Sequence, residues 1–242
     1  MPFGSMKLFR VRGITLELHP AFYLLPLFIG VEGWIEDTEN HWRGLAEGVG
    51  AVALVYTCVV LHEFGHALTA KKLGVEVKRI VLLPFGGVAL MSHIPRSPRV
   101  ELWIVIAGPL VNFVIAGLSL ALLGGWPADL WDDSLPTTSM HDILEFLLLA
   151  NLYLGCFNLL PAFPMDGGRI LRALLARKMD YVRATKWALY IGRGVALVGI
   201  GYALFYGHYL LAALFVFILW VGKREYEQLL RDESVPEPVL EI

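Results

Sequence analysis

The chain has 242 residues, 57% of them hydrophobic before its 24 glycines are counted, and only 17% charged. Soluble domains run at roughly 45–50% apolar with glycine included and about 25% charged, so a disordered chain, a coiled coil and a water-soluble globule of this length are excluded and lipid is the expected solvent. The formal charge of −2 offers no bulk basic field to nucleic acid, and Cys58 and Cys156, both in apolar runs, form no disulfide framework.

In chain order, Lys7 to Leu18 alternates around Gly13 and predicts a short hairpin. An apolar segment follows at 18–33, and a second at 48–71. The stretch Glu76 to Met91 is rich in Val, Ile and Leu but is broken by Pro84, Gly86 and Gly87, the pattern of strands and turns. Further apolar segments occupy 102–124, 143–160, 187–206 and 209–222. A crossing needs about 20 apolar residues, because each rises ~1.5 Å against a hydrocarbon core of ~30 Å. The first and last segments are the shortest by that measure. The expected fold class is an all-α polytopic membrane protein with six transmembrane helices and short membrane-associated β-strands near 7–18 and 76–91. Residues 1–222 make up the membrane core and 223–242 an acidic, proline-containing tail.

The basic residues give an independent test, since cytoplasmic loops collect Lys and Arg. With six spans, every Lys and Arg except Arg43 and Arg193 falls on one side: Lys7 to Arg12, Lys71 to Arg99, Arg169 to Lys186, and Lys223 to Arg231. The opposite loops hold Glu36, Asp37, Glu39 and Glu47, then Asp129, Asp132 and Asp133. The expected topology therefore places both termini in the cytoplasm.

The chemistry lies inside the second span, in Leu61-His62-Glu63-Phe64-Gly65-His66. His62 and His66 are four residues apart, so both imidazoles leave one helical face and can bind one metal ion. Glu63 lies beside the first of them and can take a proton from a water held there; zinc lowers the pKa of such a water to about 7. Ionisable groups within a span cost ~2.5–3.5 kcal/mol each even on the lenient scale, which disfavours a purely structural reading. A hydrolytic zinc needs a third protein ligand and an open position. The fourth span runs into Asn158-Leu159-Leu160-Pro161-Ala162-Phe163-Pro164-Met165-Asp166-Gly167-Gly168. Prolines stop that helix, and Asp166 follows just inside the boundary that His66 approaches. Asp-Gly-Gly alone is ordinary turn chemistry; the shared boundary makes Asp166 the candidate third ligand.

These paired motifs resemble the site-2 protease family of intramembrane zinc metalloproteases, closest to its six-span archaeal and bacterial members. The resemblance covers nearly the whole chain, including the amino-terminal hairpin, Pro84-Phe85-Gly86-Gly87-Val88 and Ala107-Gly108-Pro109. It implies one zinc ion per chain held by His62, His66 and Asp166, with Glu63 as general base, near the cytoplasmic side of the membrane. It implies hydrolysis of a peptide bond in or near the transmembrane segment of a single-span membrane protein, itself trimmed beforehand by another protease. Many members carry an added PDZ or CBS domain, and this sequence has none.

Asn158 and Asn112 are candidates to hydrogen-bond the substrate backbone or a developing oxyanion. Gly86 and Gly87 mark a strand edge that could pair with an unwound substrate. Cys58 sits on the His62 face as a packing residue. His19, His41, His93, His141 and His208 lack ligand spacing, and Arg169 and Arg172 read as membrane-facing anchors. A metal-ion or proton transporter is the first alternative, but paired broken helices and repeats are missing. A catalytically inactive scaffold that binds transmembrane partners is the second.

Overall fold

The structure, a computed structural model, describes residues 4–84, 86–91, 97–127 and 139–234. Phe85, His93, Arg96, Asp129, Asp132, Asp133 and the tail beyond 234 lie outside the described residues. The chain divides into two compact units, one of residues 1–94 and 107–156, the other of 95–106 and 157–242.

In the first unit, the alternating N-terminal segment forms β1 (Met6–Val11) and β2 (Ile14–Leu18). Arg12 and Gly13, both at positive φ (50° and 84°), close the turn between them, the geometry that matches the twist of paired strands. After a 3-10 turn at Pro20–Tyr23 come α1 (Leu24–Glu36) and the long α2 (His41–Lys72). Gly33 and Gly44 bring these helices into backbone contact, since a Cβ on Gly33 would lie 2.8 Å from the Gly44 carbonyl carbon. In the connecting loop Arg43 donates to Asp37 at 2.7 Å and holds that carboxyl below the usual carboxylate range.

The expected strands at 76–91 are β3 (Val77–Leu83) and β4 (Gly86–Met91). The two hairpins are not separate: β2 pairs in parallel with β3, Thr15 opposite Arg79 and Leu18 opposite Leu82, giving one sheet in the order β1-β2-β3-β4. Ile14, Leu16, Ile80 and Leu82 are buried in it. The Tyr56 hydroxyl of α2 lies 2.8 Å from the Leu83 carbonyl oxygen and 2.6 Å from that of Pro84, which ties the β3–β4 turn to the helix. α3 (Pro98–Leu123), from residue 107 on, and α4 (Met140–Asn158), as far as 156, complete this unit.

The second unit contains the start of α3, then α5 (Asp166–Leu175), α6 (Tyr181–Phe205) and α7 (Tyr209–Ser234). Ala162, Ala196 and Ile218 form its buried centre, with Phe157, Leu214 and Phe215 packed around them. Asp180 caps α6 by accepting from the Arg183 backbone N–H at 2.9 Å. α7 runs on past residue 223, as far as Ser234.

Among the described residues, four helices are long and apolar enough to cross a membrane: α2, α3, α4 and α6. Two of the six expected spans fall short. The segment at 18–33 starts with the last residue of β2 and the 3-10 turn, leaving α1 only 13 residues, or about 20 Å of rise. In α7 the apolar run gives way to Lys223, Arg224, Glu225 and Glu227. Large apolar side chains face outward on helices of both units: Leu122 is 72% exposed, Phe205 82% and Leu210 87%. Exposed apolar side chains of this size and number belong in lipid rather than water. The protein is a multi-pass membrane protein, mostly helical, with a small β-sheet.

Candidate metal centre

α2 starts from Asn40, whose side chain accepts from the Arg43 N–H at 3.2 Å, and ends with Lys71 and Lys72 against the negative end of its dipole. Between these ends His62, Glu63 and His66 are all buried, at 6%, 9% and 7% exposure. The helical period stacks the two imidazoles edge to face, with ring centroids 4.7 Å apart and planes at 87°. Their Nε2 atoms approach to 3.0 Å. Two ring nitrogens at that distance hold a proton or a cation between them. Two metal–nitrogen bonds of ~2.05 Å at a tetrahedral angle would set the nitrogens about 3.3 Å apart, so the pair fits a divalent ion.

Glycines let the neighbouring elements reach this pair. A Cβ on Gly65 would lie 2.7 Å from the Ala107 carbonyl oxygen, so α3 rests on α2 one residue before His66. A Cβ on Gly108 would lie 2.8 Å from His62 Cε1 and overlap the His66 ring outright. Gly87 of β4 stands over the carboxylate in the same way: its Cβ would be 2.5 Å from Glu63 Cγ and 3.2 Å from Oε1. Gly86, at φ 134°, faces open space at the head of that strand. β4 is the last strand of the sheet, so its outer edge has no neighbouring strand among the described residues.

Asn112 is fully buried and bonded on both sides, its Oδ1 accepting from His62 Nδ1 at 2.6 Å and its Nδ2 donating to Asn151 Oδ1 at 2.8 Å. Both ends of its carboxamide are thus engaged within the first unit. Asn151, unread in the sequence, is fully buried on α4; a lone amide in the apolar run Leu147-Leu148-Leu149-Ala150 was the available signal. Cys58 is buried, its sulfur accepting from Asn151 Nδ2 at 3.2 Å. His19 caps the 3-10 turn and His41 stacks on Trp34, so neither belongs to the centre.

Asn158 and Asp166 lie in the second unit. Asn158 is the last residue of α4 and Asp166 the first of α5, with the Phe163–Pro164 peptide cis between them. Gly167 and Gly168 press against the backbone of 159–163, where a Cβ on Gly168 would sit 2.8 Å from the Phe163 nitrogen. Only glycine admits that turn, which gives Asp-Gly-Gly a packing reason as well as a turn reason. The expectation for Arg172 is overturned. It does not face the membrane but is 2% exposed, donating to Glu101 Oε1 from Nε at 2.9 Å and Nη2 at 2.5 Å. Its guanidinium stacks 5.1 Å from the Phe163 ring and 4.9 Å from Tyr181. Positional reasoning missed the pairing because Glu101 is 71 residues away in sequence. Arg169, with a side chain 37% exposed, lies 4.0 Å from Glu225.

A buried His-Glu-x-x-His helix in a multi-pass membrane protein is the pattern of a metallopeptidase fold. The family model of Peptidase family M50 matches residues 50–128 and 125–199. A zinc metalloprotease of Methanocaldococcus jannaschii is 41% identical over 222 residues, covering 91% of this chain and 60% of the relative. The Mycobacterium tuberculosis protein Rip3 is 36% identical over 152 residues, 62% of this chain and 37% of the relative. Among solved structures, the Site-2 Protease from Methanocaldococcus jannaschii matches with a TM-score of 0.64 and 38% identity, covering 92% of this chain and 95% of that one. The chain belongs to Peptidase family M50. It spans 60% of the length of the first of these curated relatives and 37% of the second.

Proposed function

We propose that this chain is a zinc metalloendopeptidase that hydrolyses a peptide bond in or near the transmembrane segment of a membrane-protein substrate. The observation that carries the reading is the 3.0 Å approach of His62 and His66 Nε2 beside a buried Glu63. In water-exposed helices such a pair is unremarkable; within an apolar helix two imidazoles and a carboxylate are costly unless they serve chemistry. Names of relatives that include zinc metalloprotease support the same ion and activity.

His62 and His66 hold one zinc, with Asp166 as the third protein ligand, on the strength of the paired sequence motifs. Bound there, zinc supplies Lewis acidity to a scissile carbonyl and a lowered water pKa. Glu63 accepts the proton of the attacking water and returns it to the leaving amine. The Gly87 backbone beside Glu63 supports a role for the outer edge of β4: an unwound substrate segment adds as a further strand, which brings its peptide bonds to the carboxylate. Gly86 and Gly87 keep that edge clear of side chains. Asn158, near Asp166 in sequence, is assigned to the substrate backbone or oxyanion.

The segregation of Lys and Arg supports six crossings within residues 1–222, both termini in the cytoplasm and the site near that side. In this arrangement α1 and the apolar start of α7 enter the bilayer as its two shorter members. The substrate is a single-span protein, already shortened by another protease so that its helix end can unwind. No observation favours a transporter or an inactive scaffold.

The test is a Glu63→Gln variant of the full chain, purified in detergent and offered a panel of single-span substrates. Zinc content should equal that of the wild type while cleavage disappears. Cleavage by the variant at the wild-type rate would overturn the assignment of Glu63, and cleavage that persists through complete zinc removal would overturn the metal mechanism.

A further inference from the structure

Behind His62 runs a line of buried hydrogen bonds across three helices of the first unit. Asn112 on α3 and Asn151 on α4 are both fully buried. Amide contacts between membrane helices contribute little to packing, so two in series call for another reason. Read from its far end, the line has one possible polarity. The Leu147 carbonyl oxygen can only accept, and it lies 2.8 Å from a terminal atom of the Asn151 carboxamide, which must therefore be Nδ2. The same nitrogen reaches Cys58 Sγ at 3.2 Å. Asn151 Oδ1 is thereby turned to Asn112 and accepts from its Nδ2 at 2.8 Å. That in turn leaves Asn112 Oδ1 facing His62 Nδ1 at 2.6 Å, and only an N–H can meet it. The proton of a neutral His62 is thus on Nδ1, and the lone pair is on Nε2, toward His66.

We propose that Asn151 is a positioning residue which acts through Asn112 to fix the tautomer of His62, so that Nε2 is held ready as a metal donor. A backbone carbonyl on α4 sets the chemistry of a ring on α2 through three successive hydrogen bonds. The opposite tautomer would put a hydrogen on Nε2, to be removed before an ion could bind. Cys58 is a secondary acceptor, because the Leu147 carbonyl alone determines the orientation. The inference rests on the reading of His62 and His66 as metal ligands.

The experiment compares the full wild-type chain with Asn151→Leu and with the double variant Asn151→Leu/Asn112→Asp, all in detergent. Zinc affinity is read by competition with a chromophoric chelator, and the His62 tautomer by side-chain 15N NMR of the metal-stripped protein. Asn151→Leu frees the Asn112 amide to flip, so zinc affinity should fall roughly 10–100-fold, as for other residues that orient metal ligands. Its 15N shifts should move from a single Nδ1–H tautomer toward a mixture. Asp at 112 presents an oxygen in either orientation and should restore both readouts even with Leu at 151. Unchanged affinity and tautomer in Asn151→Leu would overturn the proposal. So would a loss that Asn112→Asp fails to restore, which is the result expected of a merely misfolded variant. A wild-type chain that bound no zinc would instead overturn the metal-ligand reading, and this proposal with it.

Discussion

His62 Nε2 and His66 Nε2 lie 3.0 Å apart in a buried stretch of α2, with the far nitrogen of His62 already committed to Asn112 at 2.6 Å. The arrangement turns the two imidazole nitrogens toward one another, so binding an ion between them should stabilise the folded chain directly. A ligand at 100 times its dissociation constant adds about 2.7 kcal/mol. Chelation should therefore lower the melting temperature of the wild type by several degrees, and zinc should restore it. His62→Ala should melt at one temperature with or without chelator, as read by intrinsic fluorescence in detergent.

Gly108 passes directly beside both imidazoles. Gly108→Ala puts a methyl group where His62 and His66 now stand, and both rings must shift. Zinc affinity should fall at least tenfold, because displaced ligands no longer meet the ion's bond lengths. Equilibrium dialysis measures this. Gly117→Ala on the same helix, where a Cβ meets nothing, should bind zinc as the wild type does.

Gly87 separates strand edge from carboxylate. Gly87→Val pushes a branched side chain into Glu63, which a Cβ alone would already meet at 2.5 Å. Cleavage should fall by roughly a hundredfold, the cost of misplacing a reacting group by about 1 Å, while zinc content stays at that of the wild type. Metal analysis alongside a cleavage assay separates the two quantities. Loss of both together would mean that the sheet, rather than the base, had been disturbed.

Arg172 and Glu101 are each buried, and Glu101 Oε2 has no hydrogen-bond partner among the described residues. Breaking such a pair by removing one member strands the other charge, at about 3–5 kcal/mol. Arg172→Met should be destabilising by that order in thermal melts. Arg172→Met/Glu101→Met should recover most of the loss, since a buried ion pair is about as stable as a well-packed apolar replacement. A double variant as unstable as the single one would show that the other contacts of the guanidinium, its stacking on Phe163 and Tyr181 and its 3.4 Å approach to Glu225, outweigh the pair with Glu101.

What the sequence determined by itself was whatever depends on neighbours along the chain. Hydropathy marked α2, α3, α4 and α6, because a bilayer filters every segment by the same length and polarity. The four-residue spacing of His62 and His66 implied a shared face, because helix geometry is local. The strands near 7–18 and 76–91 were visible in their alternation and glycines. Tertiary structure decided the rest. That β2 and β3 join the hairpins into one sheet depends on segments about 60 residues apart, and no local pattern encodes the partner. The short α1 became visible only with the 3-10 turn that takes up the start of its apolar run. Arg172 looked like a membrane anchor because a sequence shows its charge but not Glu101 folded against it. The partners of Asn112 were hidden for the same reason: what faces the two ends of its amide is set by His62 and Asn151, which come from other helices. The candidate donors are written in residue type and spacing, whereas how each ring is turned depends on contacts distant in sequence, which exist only once the helices have packed.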